Sequence, residues 1–598
     1  MESKQNRALK EFDSLYKMID DVYHEIALSM DLTDSAFLIL YCLLELGDGC
    51  SQKDICKLYS ISKQTVNSSV KSLEDKGFLV RKAGVGRDIH LFFTEFGREF
   101  SEKHIGPVFD MENATFESME PSECEQLLSL TRKYVQILKK NTKHYILEEK
   151  EFLSIMKIQL SDHFTYKRLI RFVFPSIIMM ICTSMYSIID GLFISNFAGK
   201  TAFAAVNLIL PVAMGVGAIG FMIGSGGSAI VAKTLGEGKE EKANEYFSIL
   251  IFTALIGATI LSIFGFIFIR QICIALGARG QLLEYASTYG RIMFVSQPMF
   301  MMQTIFYNFF ITAEKPSYSL RMSLISGVIN IVFDYLFIGV MHYGVAGAAV
   351  ATAMGEYVGG LVPLIYFARK NNSSRLRLVK PVWRKDILLK TCLNGSSEFM
   401  TNASSSVVNM LYNTQLMRLA GADGVAAYGV IMYANFIFAA IYLGYSMGSA
   451  PITSYNYGAG NHSELKNMLK KSLSLIAVTG VCLTLISEFF AHPLINIFVG
   501  YDADLFAMTL HGFRLYAFVF LINGFNIWAS SFFTALNNGV VSGMIAFLRT
   551  LLFQIGCIML LPILLGLNGI WMGVVVAEML TLIVTIYFLR SRKKVYHY

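Results

Sequence analysis

The alternation of apolar and polar positions changes character once along this chain, near residue 150. Before that point apolar residues recur at helical spacing among many charged ones. Leu9, Phe12, Leu15, Tyr16, Ile19, Val22, Tyr23 and Ile26 trace one face of a first helix. The cluster Thr33-Asp34-Ser35 caps a second helix that ends at Gly47. Ser51-Gln52-Lys53-Asp54 matches a capping box and opens a short helix over 52–59. After the turn Ser60-Ile61-Ser62, another helix runs over 63–76 and stops at Gly77. Two strand-like runs, 78–83 and 89–94, flank Gly84-Val85-Gly86-Arg87-Asp88, which reads as a hairpin. Short helix, turn, second helix and hairpin predict a winged helix-turn-helix.

Beyond residue 171 the pattern becomes nearly continuous apolar runs, each near or above the roughly 20 residues that cross a bilayer. They fall at 172–196, 202–232, 246–269, 284–312, 318–341, 344–368, 387–418, 424–450, 469–491, 505–535, 541–563 and 568–589. The predicted fold is therefore a winged helix-turn-helix, mostly α with a β-hairpin wing, followed by a polytopic all-α membrane domain of twelve transmembrane helices. The expected division is 1–147 for the winged helix, 148–171 for an amphipathic linker arm and 172–368 for a first lobe. A connecting loop at 369–386, a second lobe at 387–590 and a tail at 591–598 complete it.

A repeat at an offset of 222 residues relates the lobes. Ala198-Gly199 matches Ala420-Gly421, Gly226 matches Gly448, Gly236-x-Gly238 matches Gly458-x-Gly460, and Thr312-Ala313 matches Thr534-Ala535. Gly344 and Gly347 match Gly566 and Gly569, and Glu356 matches Glu578. A shift of six helices keeps orientation, so the halves are predicted to be parallel repeats around a central path.

Composition agrees with this division. Of 598 residues 54% are hydrophobic and 16% charged, against about 25% charged in soluble domains. The first 150 residues hold 20 Lys+Arg and 25 Asp+Glu, net −5, and the remainder 31 and 19, net +12. Nine cysteines form no CxxC pair, so neither a disulfide framework nor a zinc site is expected. No P-loop suggests ATP drive. The opening residues form no apolar signal segment. Basic residues gather in 369–390 and after Arg590, so both termini are expected in the cytoplasm and the protein in the cell membrane as a multi-pass chain. No enzymatic site is predicted.

Two sets of side chains carry candidate chemistry. In the winged helix, Lys63, Gln64, Thr65, Asn67, Ser68 and Lys71 lie near the exposed start of the second helix, where they could meet phosphates and base edges in the major groove. Arg87, with Arg81 and Lys82, would bring the wing to the DNA backbone or the minor groove. At these residues the segment from about Asn6 to Tyr145 resembles the MarR family of transcription regulators. The resemblance implies double-stranded DNA binding tuned by small ligands, and a homodimer through the flanking helices. A winged helix kept only for dimerisation or ligand sensing is the alternative. The wing carries Arg87-Asp88 where that family often has an Asp-Arg-Arg cluster.

The membrane part resembles the multidrug and toxic compound extrusion (MATE) family, of the MepA-like and DinF-like bacterial type. The twelve-helix plan, the Gly236 and Gly458 loops, Asp190 in the first span and Asn330-x3-Asp334 in the fifth carry the likeness. An ionisable group inside a span usually faces an interior, a partner or water. At 1.5 Å per residue, Asp190, Asp334 and Thr352 fall at one depth, with Asn330 about one turn deeper. Two carboxylates, an amide oxygen and a hydroxyl suit a hard cation or a shared proton, Na⁺ or H⁺. Each of the four also matches the cation-site pattern of the MATE first lobe. At the 222 offset they become Tyr412, Leu552, Gly556 and Val574, so the cluster is predicted in one lobe only.

Pro175 matches a first-helix proline that the resemblance links to bending, although a helix-start residue reads equally well. Glu356, Glu398 and Glu578 are candidates for meeting substrate or relaying protons, against a purely structural helix tie. Arg418 and Arg514 are expected to snorkel. No cofactor is expected beyond the coupling ion. The implied function is Na⁺- or H⁺-coupled export of drugs or organic cations, with a cytosolic MarR-like domain for DNA binding or ligand sensing. The alternative is a membrane-tethered transcription regulator whose transporter-like part acts as a sensor.

Overall fold

The structure is a computed structural model that describes all residues except 1–5, 60, 84–88, 157 and 370–373. The predicted wing tip with Arg87 lies outside the described residues. Two compact units divide the chain, Met1–Phe152 and Leu153–Tyr598.

In the first unit α1 (Arg7–Ser29) and α2 (Asp34–Leu46) precede a two-residue strand β1 (Cys50–Ser51). The helix-turn-helix is α3 (Gln52–Leu58) and α4 (Lys63–Asp75). The capping box at α3 is complete. The Ser51 hydroxyl accepts the Asp54 N–H at 3.2 Å, and the Asp54 carboxylate accepts the Ser51 N–H at 3.2 Å. Val66, Ser69, Val70 and Leu73 turn the inner face of α4 into the core beside Ile55, Leu40 and Leu43. Gly77 takes a φ of 78°, which releases the chain from α4 into β2 (Leu79–Ala83). Antiparallel β3 (Ile89–Phe93) pairs with β2 on one side and β1 on the other. β1 was not anticipated, because two residues are too short to show alternation. Then follow α5 (Glu95–His104), α6 (Gly106–Glu117) and α7 (Pro121–Met156). The linker arm expected from residue 148 begins instead as a continuation of α7.

In the second unit nine helices among the described residues are long and apolar enough to cross a membrane. These are α8 (Tyr166–Phe193, extended by a π-helical turn Ile194–Ala198), α9 (Lys200–Gly236), α10 (Glu240–Ala275), α12 (Pro316–Asp334, extended by a π turn Tyr335–Val340), α13 (Gly344–Ala368), α15 (Ser396–Gly458), α16 (His462–Val499), the pair α19 (Gly539–Phe547) and α20 (Gln554–Leu565), and α21 (Leu567–Ser591). A π turn Leu548–Phe553 joins α19 to α20. The 63-residue α15 is two spans, because Gly421 breaks it with φ 64° and ψ −151°. A tenth predicted span is the pair α17 (Ala503–Ala517) and α18 (Val519–Ala535), bent by 46° at Phe518. The more polar α11 (Gly280–Thr312) completes six spans per lobe. The seventh span, predicted as one run over 387–418, is divided into α14 (Lys385–Asn394) and the first part of α15 at Gly395.

The repeat is visible in the backbone. Gly199 and Gly421, Gly238 and Gly460, and Gly344 and Gly566 all adopt positive φ, which explains why glycine recurs at these offsets. The lobes also meet through matching contacts. A Cβ on Gly236 would lie 2.0 Å from the Tyr455 carbonyl oxygen, and one on Gly458 would lie 2.0 Å from that of Lys233. Lys233 and Tyr455 are themselves 222 residues apart. The interface at this end is therefore a pseudo-two-fold backbone contact.

Candidate cation and substrate sites

Asp334 ends α12 where its π turn begins, and Asp190 lies in α8 four residues before the π turn there. Such widened turns recur at functional sites. Close helix approach brings the two together. The Tyr186 hydroxyl donates to the Ser323 carbonyl at 3.0 Å, and Gly327 leaves room for the Tyr186 ring, which a Cβ would meet at 2.4 Å. On the other side the Ser326 hydroxyl donates to the Gly355 carbonyl at 2.6 Å, joining α12 to α13. One turn further, the Asn330 amide donates to the Thr352 hydroxyl at 3.4 Å. All four predicted cation-site residues thus fall on three adjoining helices.

The polar atoms at the centre are unsatisfied. Asp334 is 0% exposed and neither of its oxygens receives a hydrogen bond; Asp190 Oδ1 is likewise buried without a donor. The two carboxyls are close enough to act on one another. Groups of this kind are rarely left unpaired, since the penalty is several kcal/mol for a charge. A carboxylate kept only to tie helices would have donors around it. Tyr289 of α11, 1% exposed, stands within the fields of Asp190, Asp334 and Glu356. Sequence reasoning missed it, since an isolated tyrosine in an apolar span carries no distinguishing signal. Glu356 is buried too, and its Oε2 has no partner. Helix α8 runs on through Pro175 without a break. Just beyond it, Ile177 packs so tightly on α15 that a Cβ at Gly444 would come within 2.5 Å.

The MatE family model matches residues 175–336 and 399–559, one match in each lobe and together more than half of the chain. The chain belongs to the MatE family. Its relatives include the multidrug export protein MepA of Staphylococcus saprophyticus, 27% identical over 71% of this chain and 94% of that protein. MepA of Staphylococcus aureus is 25% identical over the same shares. Among solved structures, a MATE protein in complex with MaL6 aligns with a TM-score of 0.69 at 22% identity, covering 73% of this chain and 98% of that one. A multidrug resistance MATE family transporter in an outward-facing conformation gives 0.68 at 23%, over 73% and 97%. The MarR family model matches residues 30–87.

The second lobe of this MatE chain treats its charges differently. Glu578 is the repeat partner of Glu356, yet its Oε1 accepts Arg549 Nε at 2.7 Å and its Oε2 accepts the Asn526 amide at 2.7 Å. Thr585 in turn holds the Asn526 oxygen at 2.8 Å. Glu398 of α15 lies in the field of Arg549. Arg549 was missed, although a lone cation inside an apolar span is itself a signal. Tyr412 is buried and stacks on Tyr428 with ring centres 4.9 Å apart, and Met301, Met302, Phe309 and Phe310 are in the first-lobe core. Among the described residues, two cavities stand out between the MatE lobes. One of about 200 Å³ is apolar, between Met185, Ile188 and Ile189 of α8 and Tyr433 and Phe498 opposite. The other, about 670 Å³, lies between Pro211 of α9 and a polar stripe of α15.

In the N-terminal unit of the same chain Lys63, Gln64, Thr65, Asn67, Ser68 and Lys71 are all exposed along the outer face of α4. Arg81 is paired with Glu74, whose carboxyl that hydrogen bond holds below its usual range. The Lys82 ammonium lies over the Phe92 ring, 4.6 Å from its centre.

Proposed function

We propose that this protein exports drugs or organic cations in exchange for Na⁺ or H⁺, with both termini in the cytoplasm. The carrying observation is the pair Asp190 and Asp334, one half-buried and one buried carboxylate with three buried donor-free oxygens between them. In this reading the incoming cation is the missing partner. Asp190 and Asp334 would bind it, with the Asn330 oxygen and the Thr352 hydroxyl at the same centre, and a proton would serve the same electrostatic need. Coupling follows from helix α8. The turn just before Asp190 supplies Met185, Ile188 and Ile189 to the apolar interlobe cavity. An ion drawn to Asp190 therefore acts on the helix that also lines the compound's path, and a shift there changes affinity on the other side. The kinship with multidrug export proteins supports the direction and class of transport. Dye efflux from proteoliposomes under separately imposed Na⁺ and H⁺ gradients is the test. No gradient-driven flux under either condition overturns the reading.

The winged helix is proposed to bind double-stranded DNA through α4 and to dimerise through α1 and α7. Phe12, Leu15, Tyr16 and Ile19 leave an apolar stripe exposed on α1, continued by Leu127, Leu130 and Tyr134 of α7. A membrane-tethered regulator with a sensing transporter domain is the second reading, favoured by the MarR match. Operator binding without any transport would select it.

A further inference from the structure

The larger interlobe cavity has the wrong charge for a site that accepts cations alone. Its wall on α15 presents Asn409, Asn413, Thr414 and Arg418, with Met410 and Met417 between them and Pro211 of α9 opposite. Among the described residues no carboxylate lines it. Arg418 makes no ion pair among the described residues. The Tyr428 hydroxyl donates to Asn409 Oδ1 at 3.1 Å, which occupies that oxygen and leaves the amide N–H groups as the free functions of Asn409. Thr414 donates to its own helix at the Met410 carbonyl, at 2.8 Å. The free polar functions directed at this space are thus dominated by donors, one of them permanently charged. The methionines offer an adaptable apolar surface beside them. A helix-end arginine also suits the nearby C-terminal carbonyls before the Gly421 break, but that role does not need the amides or the 670 Å³ of space.

From this donor-lined cavity we infer that the protein has an anion subsite, which takes an amphiphile with its sulfonate or carboxylate at Arg418 and its apolar body against Met410 and Met417. The inference rests on the export reading for its purpose, but not for its binding chemistry. The same chemistry could come from an exported compound or from a phospholipid headgroup, and the experiment separates them.

The test is fluorescence titration of the detergent-solubilised full chain with 8-anilinonaphthalene-1-sulfonate, followed by efflux of the same probe and of ethidium from proteoliposomes. Arg418→Glu should weaken sulfonate binding about tenfold, as expected for a charge-assisted contact, and Arg418→Lys should restore most of it. Ethidium efflux should be kept or rise, because reversing this charge removes a repulsion of cations from the cavity. Equal sulfonate binding by parent and Arg418→Glu overturns the inference whether or not transport occurs. An equal fall for both probes with a lowered melting temperature assigns Arg418 a structural role and also overturns it. If phosphatidylglycerol co-purifies with the parent and not with Arg418→Glu, while sulfonate efflux is unchanged, the occupant is lipid and the export subsite is refuted. Sulfonate binding without flux of either probe upholds the subsite and removes the export reading instead.

Discussion

Arg549 Nε lies 2.7 Å from Glu578 Oε1 inside the second lobe, while Glu356, the repeat-related glutamate of the first lobe, has no such cation among the described residues. At the 222 offset Arg549 is replaced by Gly327. One lobe thus carries a permanent internal counter-ion where the other leaves a carboxylate to be met from outside. Arg549→Gln should leave Glu578 buried without its counter-ion, held only by the Asn526 amide, at a cost of about 3–5 kcal/mol. Thermal unfolding in detergent measures it, and the double variant Arg549→Gln/Glu578→Gln should recover part of the loss.

Asp334→Asn should abolish gradient-driven efflux and leave the melting temperature within a few degrees of the parent. Neither Asp334 oxygen holds a protein donor, so no tie between helices is lost, and the new amide can donate to Asp190. Retained coupled flux would falsify the role given to the pair.

Gly236→Ala and Gly458→Ala should damage the protein to the same degree. Each Cβ would press on a backbone carbonyl at 2.0 Å, and such overpacking costs about 1–3 kcal/mol or more. Matched losses in melting temperature and efflux are expected. A large loss at one glycine with none at the other argues against the pseudo-symmetric contact.

The first unit should weaken at alkaline pH. Tyr23 and Tyr41 donate to the two oxygens of Glu112 at 2.6 and 2.7 Å. Burial, then the hydrogen bond to Glu112, pushes Tyr23 up to about 12 and Tyr41 higher still. A raised folded value means the contribution is whole below the unfolded value, about 10, and is lost as pH rises through the folded one. Tyrosine absorbance against pH should show these two ionising late, and Glu112→Gln should bring them earlier.

Lys63→Ala and Lys71→Ala should each weaken operator binding by the full chain across sequences, and each should lower the salt slope by about one. Fluorescence polarisation at several salt concentrations reads both. An unchanged slope removes these lysines from the phosphate backbone.

Much of this was legible in residue patterns. The capping box at Ser51 and Asp54 fixes the helix-turn-helix because both reciprocal bonds are local, so sequence suffices. The same holds for Gly421 and Gly199, whose φ requirement leaves glycine as the natural choice. What stayed hidden depends on helices coming together. Tyr289 acquires meaning only when three carboxyls from three other spans surround it. Arg549 pairs with Glu578 across 29 positions, a spacing that no helical period announces. The π turns after Asp190 and Asp334 have no compositional mark, because they arise from packing rather than from propensity.

The Gly236–Tyr455 and Gly458–Lys233 contacts are the kind that two identical subunits make across a two-fold axis, each lending the other the same patch. Two identical copies joined by this seam would have to carry the same charges. Joining them in one chain removed that obligation. One half leaves oxygens of Asp190 and Asp334 without donors, while the other holds Arg549 beside Glu578.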